Sequence, residues 1–227
     1  QVSIDSPADA IKFGIGMLHQ DPLDFPPMQV IDNFVVGQPG NLVLSYKEII
    51  EEFKTLQSQF GFSINREAYV DTLTVGERQQ LEILRLLWLG ARVLILDEPT
   101  TGISAQQKEK LFSALKVLAD QGKTIIFVSH KLEDVEFLCD SVAILRKGIL
   151  VGEVAAPYDT DQLVEMMFGK HITVGEPETV AQDRVVFELE DLVVEKYPLR
   201  IRDVNFKLRA GEVIGLAGME GSGQDIL

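Results

Sequence analysis

Two adjacent carboxylates, Asp97 and Glu98, follow directly on a short apolar run, Val93 to Leu96. Such a run is typical of a strand buried in a parallel sheet, and open α/β sheets bind ligands at the carboxyl ends of their strands. There Asp97 could hold a Mg²⁺ ion that bridges phosphates, while Glu98 could orient or deprotonate the water of an in-line phosphoryl transfer. Taken alone, however, an Asp-Glu pair is more often part of a solvated loop.

Two further polar residues are candidates for the same site. His130 follows the next strand-like run, Thr124 to Val128. In a parallel sheet it would lie on the same edge as the carboxylates and could contact a terminal phosphate. Gln20, which follows "GIGMLH", could contact a water or Mg²⁺. Each is weak evidence alone, because a single histidine at a strand end is usually structural and a lone glutamine is usually an ordinary loop residue.

The segment "LTVGERQ", Leu73 to Gln79, places Thr74 and Gly76 at the start of a helix. Unpaired backbone N–H groups and the helix dipole favour an anion at such a start. Thr74 and Glu77 also form a capping box, which is complete without any ligand. By itself the segment therefore predicts only a helix that begins at Val75.

A second candidate for phosphate binding is "GLAGMEGSGQDIL", Gly215 to Leu227. Three glycines offer a cradle of backbone N–H groups: Gly218, Gly221 and Gly223. Gln224 stands where a phosphate loop carries lysine, and Asp225 stands where it carries the hydroxyl that binds magnesium. Because Asp225 brings a carboxylate close to negative oxygens, we expect this loop to bind nucleotide weakly or without hydrolysis.

The pattern around these motifs predicts the elements that would position them. A helix capped by Ser104 and Gln107 separates the two apolar runs, and strand, helix and strand predict an α/β fold with a parallel sheet. Two strand-like runs around Lys147-Gly148 predict an antiparallel hairpin at a sheet edge. Other helices are predicted from Pro7 and over Val30–Phe34, Tyr46–Phe60, Leu132–Leu138 and Asp161–Phe168, and other strands in "RDVNFKLR" and "VIGLAG".

Composition narrows the class of protein. Asp and Glu number 35 against 21 Lys and Arg, a formal net charge of -14, which disfavours nucleic acid as a partner. The apolar stretch Ile83–Leu96 is interrupted by Arg85 and Arg92, whereas a membrane span needs ~20 largely apolar residues. A single cysteine, Cys139, allows no internal disulfide framework, and the three histidines show no metal-ligand spacing with it.

In their order and separation, these motifs closely resemble those of the ATP-binding subunits of ABC transporters. The match runs from about Ser6 to Gly169 and includes the Gln20 loop, the signature "LTVGERQ", the Walker B segment "VLILDEPT", "TGIS" and the switch "VSH". The resemblance implies a P-loop NTPase fold with ATP and Mg²⁺ as cofactors. It assigns magnesium contacts to Asp97 and to Gln20, the Q-loop residue. It assigns the role of general base to Glu98 and that of switch histidine to His130. The signature that caps ATP on the opposite domain is assigned to five residues: Leu73, Thr74, Val75, Gly76 and Glu77.

A narrower resemblance is to the tandem ATPase subunits of simple-sugar and nucleoside importers, which carry two ATPase domains in one chain. It is carried by "SPADAIKFGIGMLHQ", "SHKLEDV" and "GLAGMEGSGQ". In that group the second glycine loop often lacks lysine, so the resemblance assigns nucleotide contacts to Gly218, Gly221, Ser222, Gly223, Gln224 and Asp225. The signature departs from the general family at Thr74, Val75 and Glu77, the D-loop has Ser104 in place of aspartate, and Ile226 replaces a glutamate.

This resemblance implies a domain organisation. We expect residues 1–174 to be the C-terminal part of a first ABC ATPase domain, with a helical subdomain over about 21–90. Residues 175–183 are predicted as a linker and 184–227 as the N-terminal β part of a second ABC domain. No G-x-x-x-x-G-K-[ST] precedes Gln20, so the first domain is expected to be incomplete and to lack its Walker A region. The chain is therefore expected to be an internal fragment with little ATPase activity alone.

The function implied by the resemblance is an ATPase subunit at the cytoplasmic face of the cell membrane that energises uptake of a sugar or nucleoside-like solute. The expected partners are transmembrane permease subunits and, indirectly, an extracellular solute-binding protein, but not nucleic acid. Residues after the Q-loop dock the permease in this family, so the candidate contacts are Phe25, Pro26, Pro27 and Met28. Packing within the helical subdomain explains them equally well. A soluble ABC ATPase and a non-catalytic interaction module remain open as alternatives.

Overall fold

The computed structural model describes residues 3–37, 45–169, 182–196 and 199–216, together with Gly223 and Ile226. The chain divides into two compact units, Gln1–His171 and Ile172–Leu227. Outside the described residues lie 175–181 of the predicted linker and most of the predicted glycine loop: Gly218, Gly221, Ser222, Gln224 and Asp225.

The described part of the first unit contains seven helices and five strands. In chain order they are α1 (Pro7–Lys12), β1 (Ile15–Leu18), α2 (Val30–Phe34), α3 (Tyr46–Phe60), α4 (Val75–Trp88), β2 (Val93–Asp97), α5 (Ala105–Asp120), β3 (Thr124–Val128), α6 (Leu132–Leu138), β4 (Ser141–Arg146), β5 (Ile149–Ala155) and α7 (Thr160–Phe168). The predicted capping boxes form at α4, where Thr74 pairs with Glu77, and at α5, where Ser104 pairs with Gln107. None of the helices in the described residues is long and apolar enough to cross a membrane.

A sheet of three parallel strands, in the order β1-β2-β3, lies at the centre of this unit. Ile15 pairs with Val93, and Val93 pairs with Thr124. The predicted parallel unit is confirmed. Strand β1 was not predicted, because its four residues include Gly16 and give little strand signal.

The two faces of this sheet differ in their cover. Leu18, Leu94 and Leu96 point to one face and are fully buried in the core. The alternate positions point to the other face, where Met17 and Ile126 are exposed. Parallel sheets are usually covered on both faces. The described residues therefore leave one apolar face of the sheet open.

The helical part is held by an aromatic cluster at the junction of α2, α3 and α4. The fully buried ring of Phe34 meets Phe53 edge to face at 5.0 Å between centroids and lies 5.2 Å from the ring of Trp88. These residues belong to the same core as Leu84 and Leu94, so the helices and the sheet of this unit share one core.

The predicted hairpin around Lys147-Gly148 is confirmed, since β4 and β5 pair antiparallel and both turn residues have positive φ. Its predicted place at the edge of a larger sheet is wrong, because among the described residues β4 and β5 form a separate two-stranded sheet. The hairpin packs against α7 instead. A Cβ at Gly152 would lie 2.6 Å from Met166 Cε, so the missing side chain lets this helix approach the strand.

The second unit contains a long antiparallel pair, β6 (Val185–Lys196) and β7 (Leu199–Arg209). β7 includes the predicted strand "RDVNFKLR", whereas β6 was missed because register shifts between Leu189 and Val194 interrupt its alternation. The strand predicted in "VIGLAG" is wrong for its described residues, 213–216, which form none. Val213 is 96% exposed, and this segment has no ladder partner among the described residues.

Truncation of Phe34 tests the aromatic cluster. We expect Phe34→Ala to lower the free energy of unfolding by about 3–5 kcal/mol, since the site is fully buried and the change leaves a cavity. Denaturant titration measures this difference. Tyr46→Ala, at an exposed site on α3, is the control and should leave the transition midpoint nearly unchanged. Equal effects of the two substitutions would contradict the assignment of the core.

Candidate active site

The carboxyl ends of the three parallel strands bring the predicted catalytic residues to one edge of the sheet. Gln20 follows β1, Asp97 ends β2, and His130 follows β3 after one intervening residue. Because β2 pairs in parallel with both neighbours, the three strands end at the same edge. The shared edge expected for the two carboxylates and His130 is confirmed, and Gln20, for which no such place was predicted, lies at it too.

Glu98 and His130 are in direct contact at this edge. The Nδ1 atom of His130 lies 2.7 Å from Oε1 of Glu98, and the backbone N–H of His130 donates to the same oxygen at 3.1 Å. The side chain of Glu98 is 17% exposed and that of His130 is 70% exposed. One contact therefore links a largely buried carboxylate with a histidine that faces solvent.

The second carboxylate oxygen of Glu98 is left without a partner. Oε2 is buried and has no hydrogen bond among the described residues. Buried polar atoms nearly always have a hydrogen-bond partner, and an unpaired carboxylate oxygen is especially costly. This oxygen is therefore suited to accept a hydrogen bond from a ligand or a reacting water.

The backbone of Glu98 is strained. Its φ of 48° lies in the left-handed region, which costs a residue with a side chain about 1–2 kcal/mol. Two backbone hydrogen bonds hold it there: the Glu98 N–H donates to the Val128 carbonyl at 2.9 Å, and the Thr101 N–H donates to the Glu98 carbonyl at 3.1 Å. Strained backbone of this kind is concentrated at functional sites.

Asp97 and Gln20 share this edge, but among the described residues their side chains are not hydrogen-bonded to the Glu98–His130 pair. Asp97 is half-buried and pairs with Val128 across the two strands, which places it on the open face of the sheet. Gln20 is exposed. In the described part of the chain neither side chain forms a hydrogen bond to Glu98 or His130, and no group of three or more His, Cys, Asp and Glu is arranged to hold a metal ion.

A buried polar network supports the loop that follows Glu98, and sequence reasoning missed it. Thr100 Oγ1 donates to Asp134 Oδ2 at 2.6 Å, and Lys108 Nζ donates to Asp134 Oδ1 at 2.5 Å. Lys131 Nζ donates to the Thr100 carbonyl at 2.9 Å. Burial alone would raise the pKa of Asp134, but the hydrogen bonds from Lys108 and Thr100 outweigh it and hold the pKa below its ordinary value. In the sequence, the signal that could have indicated this network was an acidic residue, Asp134, next to the apolar Val135 in a short helix.

The predicted signature lies at the N-terminus of α4 and is joined to the start of α5. Gln107 Nε2 donates to Thr74 Oγ1 at 2.9 Å, and Gln107 Oε1 accepts from the Ser104 N–H at 3.0 Å. A Cβ at Gly76 would lie 2.6 Å from Gln107 Cδ. The absence of a side chain at Gly76 therefore leaves room for the Gln107 amide in this position, a reason that the sequence alone did not show. Of the five signature residues, Gly76 is buried, Thr74 is exposed, and the other three are half-buried: Leu73, Val75 and Glu77.

In the second unit, Gly223 is one described member of the predicted glycine loop. Its φ is 99°, which favours glycine, and a Cβ there would lie 2.5 Å from Ile201 Cδ1. Both observations require glycine at this position.

The candidate permease contacts form an exposed apolar turn. Phe25 is 49% exposed, Pro26 and Pro27 are also exposed, and Met28 is half-buried. Backbone hydrogen bonds tie the turn to the 3₁₀ segment Val70–Thr72: the Asp71 N–H donates to the Pro26 carbonyl and the Val70 N–H to the Met28 carbonyl. The turn is therefore held in place while Phe25 and the two prolines face solvent.

Comparison with known proteins shows the fold and the family that the chain resembles. A dimeric ATP-binding cassette bound to ADP and Pi matches with a TM-score of 0.59 at 18% identity, covering 68% of this chain and 69% of that one. An ATP-binding cassette in its ADP conformation matches with a TM-score of 0.60 at 21% identity, covering 73% of this chain and 72% of that one. Residues 3–101 match the family model described as ABC transporter. The chain is therefore similar to members of the ABC transporter family. The predicted ABC ATPase fold is thereby confirmed.

Curated members of the ABC family extend the match along nearly the whole chain. The nucleoside import ATP-binding protein NupA of Lactococcus lactis subsp. cremoris is 32% identical over 98% of this chain and 45% of its own length. The ribose import ATP-binding protein RbsA of Caldanaerobacter subterraneus subsp. tengcongensis is 32% identical over 99% of this chain and 46% of its own. The chain thus spans about half the length of the curated relatives it matches.

The Asp134 network makes a testable contribution to stability. The pKa of Asp134 is lowered in the folded state, so its carboxylate adds stability that is fully present above the unfolded pKa of about 3.9 and is lost as pH falls through the folded pKa. We expect Asp134→Asn to lower the free energy of unfolding by about 1.5–3 kcal/mol at pH 7, the range for hydrogen bonds to charged groups.

Unfolding measured at pH 7 and at several values below pH 4 tests this expectation. The difference between Asp134→Asn and wild type should shrink as the solution becomes more acidic. Asp120→Asn, at an exposed site at the end of α5, serves as the control. A difference that does not depend on pH would contradict the role given to the ionised carboxylate.

Proposed function

We propose that this chain is part of the ATP-binding subunit of an ABC importer, which hydrolyses ATP to energise uptake of a simple sugar or nucleoside-like solute. The observation that carries the proposal is the Glu98–His130 contact with the buried, unpartnered Oε2 of Glu98, directly after the parallel strand that ends at Asp97. The names of the relatives, import ATP-binding proteins for nucleosides and ribose, support the importer class.

The residues present fit a magnesium–nucleotide complex. Asp97 and Gln20 would hold Mg²⁺, because they lie at the ends of neighbouring strands, Asp97 as the last residue of β2 and Gln20 two residues after β1. They offer a carboxylate and an amide oxygen, which are ligand types that Mg²⁺ accepts. Mg²⁺ is usually held by one or two carboxylates together with phosphates and waters, so a dense cluster of acids is not required. The ion would neutralise charge on the transferred phosphate.

Within this site, the different roles that we propose for Glu98 and His130 follow from how far each side chain is buried. Oε2 of Glu98 would orient the attacking water and accept its proton, since it is the carboxylate oxygen that no group of the described chain occupies. Oε1 is held by the ring and backbone of His130, which fixes the orientation of the carboxylate. The solvent-facing ring of His130 would contact the terminal phosphate. Such preorganisation is what phosphoryl transfer chiefly requires.

The start of α4 would serve a second nucleotide. Thr74, Val75, Gly76 and Glu77, with Leu73 before them, would cap ATP bound to an opposite ATPase domain. The helix is 14 residues long, so its dipole and the N–H groups of its first turn favour a phosphate there.

The finer domain organisation belongs to the same proposal. Residues 1–174 would be the latter part of a first ATPase domain and 184–227 the start of a second, joined by 175–183. The open face of the sheet beside Asp97 is where a lysine-containing phosphate loop and its helix would pack, and no such loop precedes Gln20 in these 227 residues. Without that loop the phosphates lack a positioned cation, so these residues alone would hydrolyse ATP poorly.

In the second domain the nucleotide contacts would come from Gly218, Gly221, Ser222, Gly223, Gln224 and Asp225. The requirement for glycine at position 223 supports a tight backbone loop. With glutamine and aspartate in place of lysine and a hydroxyl, this second site would be the weaker partner of an asymmetric pair.

The exposed turn at Phe25, Pro26, Pro27 and Met28 would contact transmembrane permease subunits, and through them an extracellular solute-binding protein. This would place the subunit peripherally at the cytoplasmic face of the cell membrane. A soluble ABC ATPase that acts on nucleic acid is not favoured, because the relatives are import proteins and the net charge is -14. A non-catalytic interaction module is not favoured by the Glu98–His130 contact.

Substitution of Glu98 tests the catalytic assignment in the full-length subunit. We expect Glu98→Gln to lower the ATP hydrolysis rate by about 100-fold or more, because it removes a general base. Binding of ATP should persist, since the amide keeps the shape of the side chain. Phosphate release and nucleotide binding measure the two effects. Glu109→Gln, an exposed substitution on α5, is the matched control. Hydrolysis that Glu98→Gln leaves intact would contradict the proposal.

Cross-linking tests the permease contact. In the assembled transporter, cysteines introduced as Phe25→Cys and Met28→Cys should cross-link to the permease, whereas Tyr46→Cys on the exposed face of α3 should not. The half-buried Cys139 is replaced first so that it cannot contribute. Cross-links from both positions only to the subunit's own chain would favour packing within the helical subdomain instead.

A further inference from the structure

Two arginines on one face of α4 hold the loop that follows Gln20. Arg78 Nε donates to Asp24 Oδ2 and Arg78 Nη2 donates to Asp24 Oδ1, both at 2.6 Å. Arg85, seven residues further on and therefore on the same face of the helix, donates from Nη1 to the Leu23 carbonyl at 3.2 Å. Two consecutive residues of the loop are thus fastened to one helix.

The Arg78–Asp24 pair fixes the relative orientation of the two side chains as well as the distance between them. A guanidinium that donates two parallel hydrogen bonds to one carboxylate permits little rotation, unlike the single point charge of a lysine. The Asp24 side chain is only 4% exposed, so solvent screens the pair weakly. The hydrogen bonds that Arg78 donates to Asp24 raise the pKa of Arg78, which keeps the guanidinium charged.

A second helix holds the same loop from its other end. Asn33, buried in α2, accepts from the Phe25 N–H at 2.8 Å and donates to the Phe25 carbonyl at 3.0 Å. The loop is therefore fixed at three successive residues, Leu23, Asp24 and Phe25. Yet the side chains of Leu23 and Phe25 are 59% and 49% exposed. A rigid backbone that presents apolar side chains to solvent is suited to transmit a displacement from a bound partner.

The other end of this connection lies at the predicted signature. Arg78 is in the first turn of α4, and its backbone N–H donates to the Thr74 carbonyl at 3.0 Å. The Arg78–Asp24 ion pair therefore connects the exposed loop to the first turn of α4, beside the residues that would cap ATP. We propose that Arg78 and Asp24 are positioning residues that fix the permease-facing loop to the nucleotide-capping end of α4. This inference rests on the proposed function, which assigns a partner to each end.

The test uses the full-length subunit, alone and assembled with its permease subunits in lipid vesicles. Arg78→Lys keeps the positive charge but cannot form the two-pronged contact, and Asp24→Asn keeps the shape but removes the charge. The measured quantity is the ratio of the ATP hydrolysis rate with the permease to the rate without it. The KM for ATP of the subunit alone reports any direct effect on nucleotide binding.

We expect each substitution to lower that ratio by about 3- to 30-fold, the range that coupling residues show, while the KM of the subunit alone changes little. The double variant should be no worse than the more affected single variant, because both remove one interaction. Glu51→Gln, which removes the exposed Lys54–Glu51 pair on α3, is the matched control and should leave the ratio unchanged.

The outcomes separate this inference from the proposed function. Wild-type stimulation by the permease with an unchanged ratio in Arg78→Lys would overturn the inference alone, as would additive losses in the double variant. Wild-type protein whose ATP hydrolysis does not respond to the permease would overturn the proposed function and this inference with it. Should Asp24→Asn fail to fold because it leaves Arg78 without a charged partner, Arg78→Lys still decides the question.

Discussion

The parallel register of β1, β2 and β3 is the constraint on which the candidate site depends. Because neighbouring strands run in the same direction, Gln20, Asp97 and His130 arrive at one edge although they are far apart in the chain. An antiparallel neighbour would send one of them to the opposite edge. Strand direction therefore determines that these residues meet at one edge, and side-chain contacts then set the geometry within the site. Helix packing supports that direction, because α4 and α5 bury one face of all three strands in a continuous core.

The strained residue at this edge is held by a network at some distance from it. Glu98 has both an unfavourable backbone and a buried oxygen without a partner, and either would relax in a loose loop. The following loop is not loose, since Thr100 is bonded to Asp134 and its carbonyl to Lys131. The network thus offsets the local strain by fixing the loop that carries it. Such an arrangement is expected where a side chain must be poised for a ligand.

Local signals in the sequence predicted much of the fold, and long-range pairing accounts for what they missed. The predicted bounds of α2, α3 and α6 agree with the structure to the residue, because caps and helical periodicity are encoded within a few residues. β1 and β6 were missed and the strand in "VIGLAG" was wrong, since a strand also depends on a partner elsewhere in the chain. The shared edge of Asp97, Glu98 and His130 followed from strand order, whereas the place of Gln20 at that edge depends on β1, which was not predicted. The partners of Asp134 and Asp24 could not be predicted, because they lie 26 to 54 residues away and are set by packing.

Helix α4 connects the parts of this unit that sequence motifs treat as separate. Its first turn carries Thr74 and Gly76, its exposed side holds the loop at Leu23 and Asp24, and its buried side packs Leu84 into the core beneath β2. Gln107 adds a link from its N-terminus to the start of α5, which begins just after the loop that carries Glu98. A rigid helix with such contacts cannot shift at one end without disturbing the others. The surfaces proposed to face a nucleotide and a permease are therefore joined through a single element and not through a flexible chain.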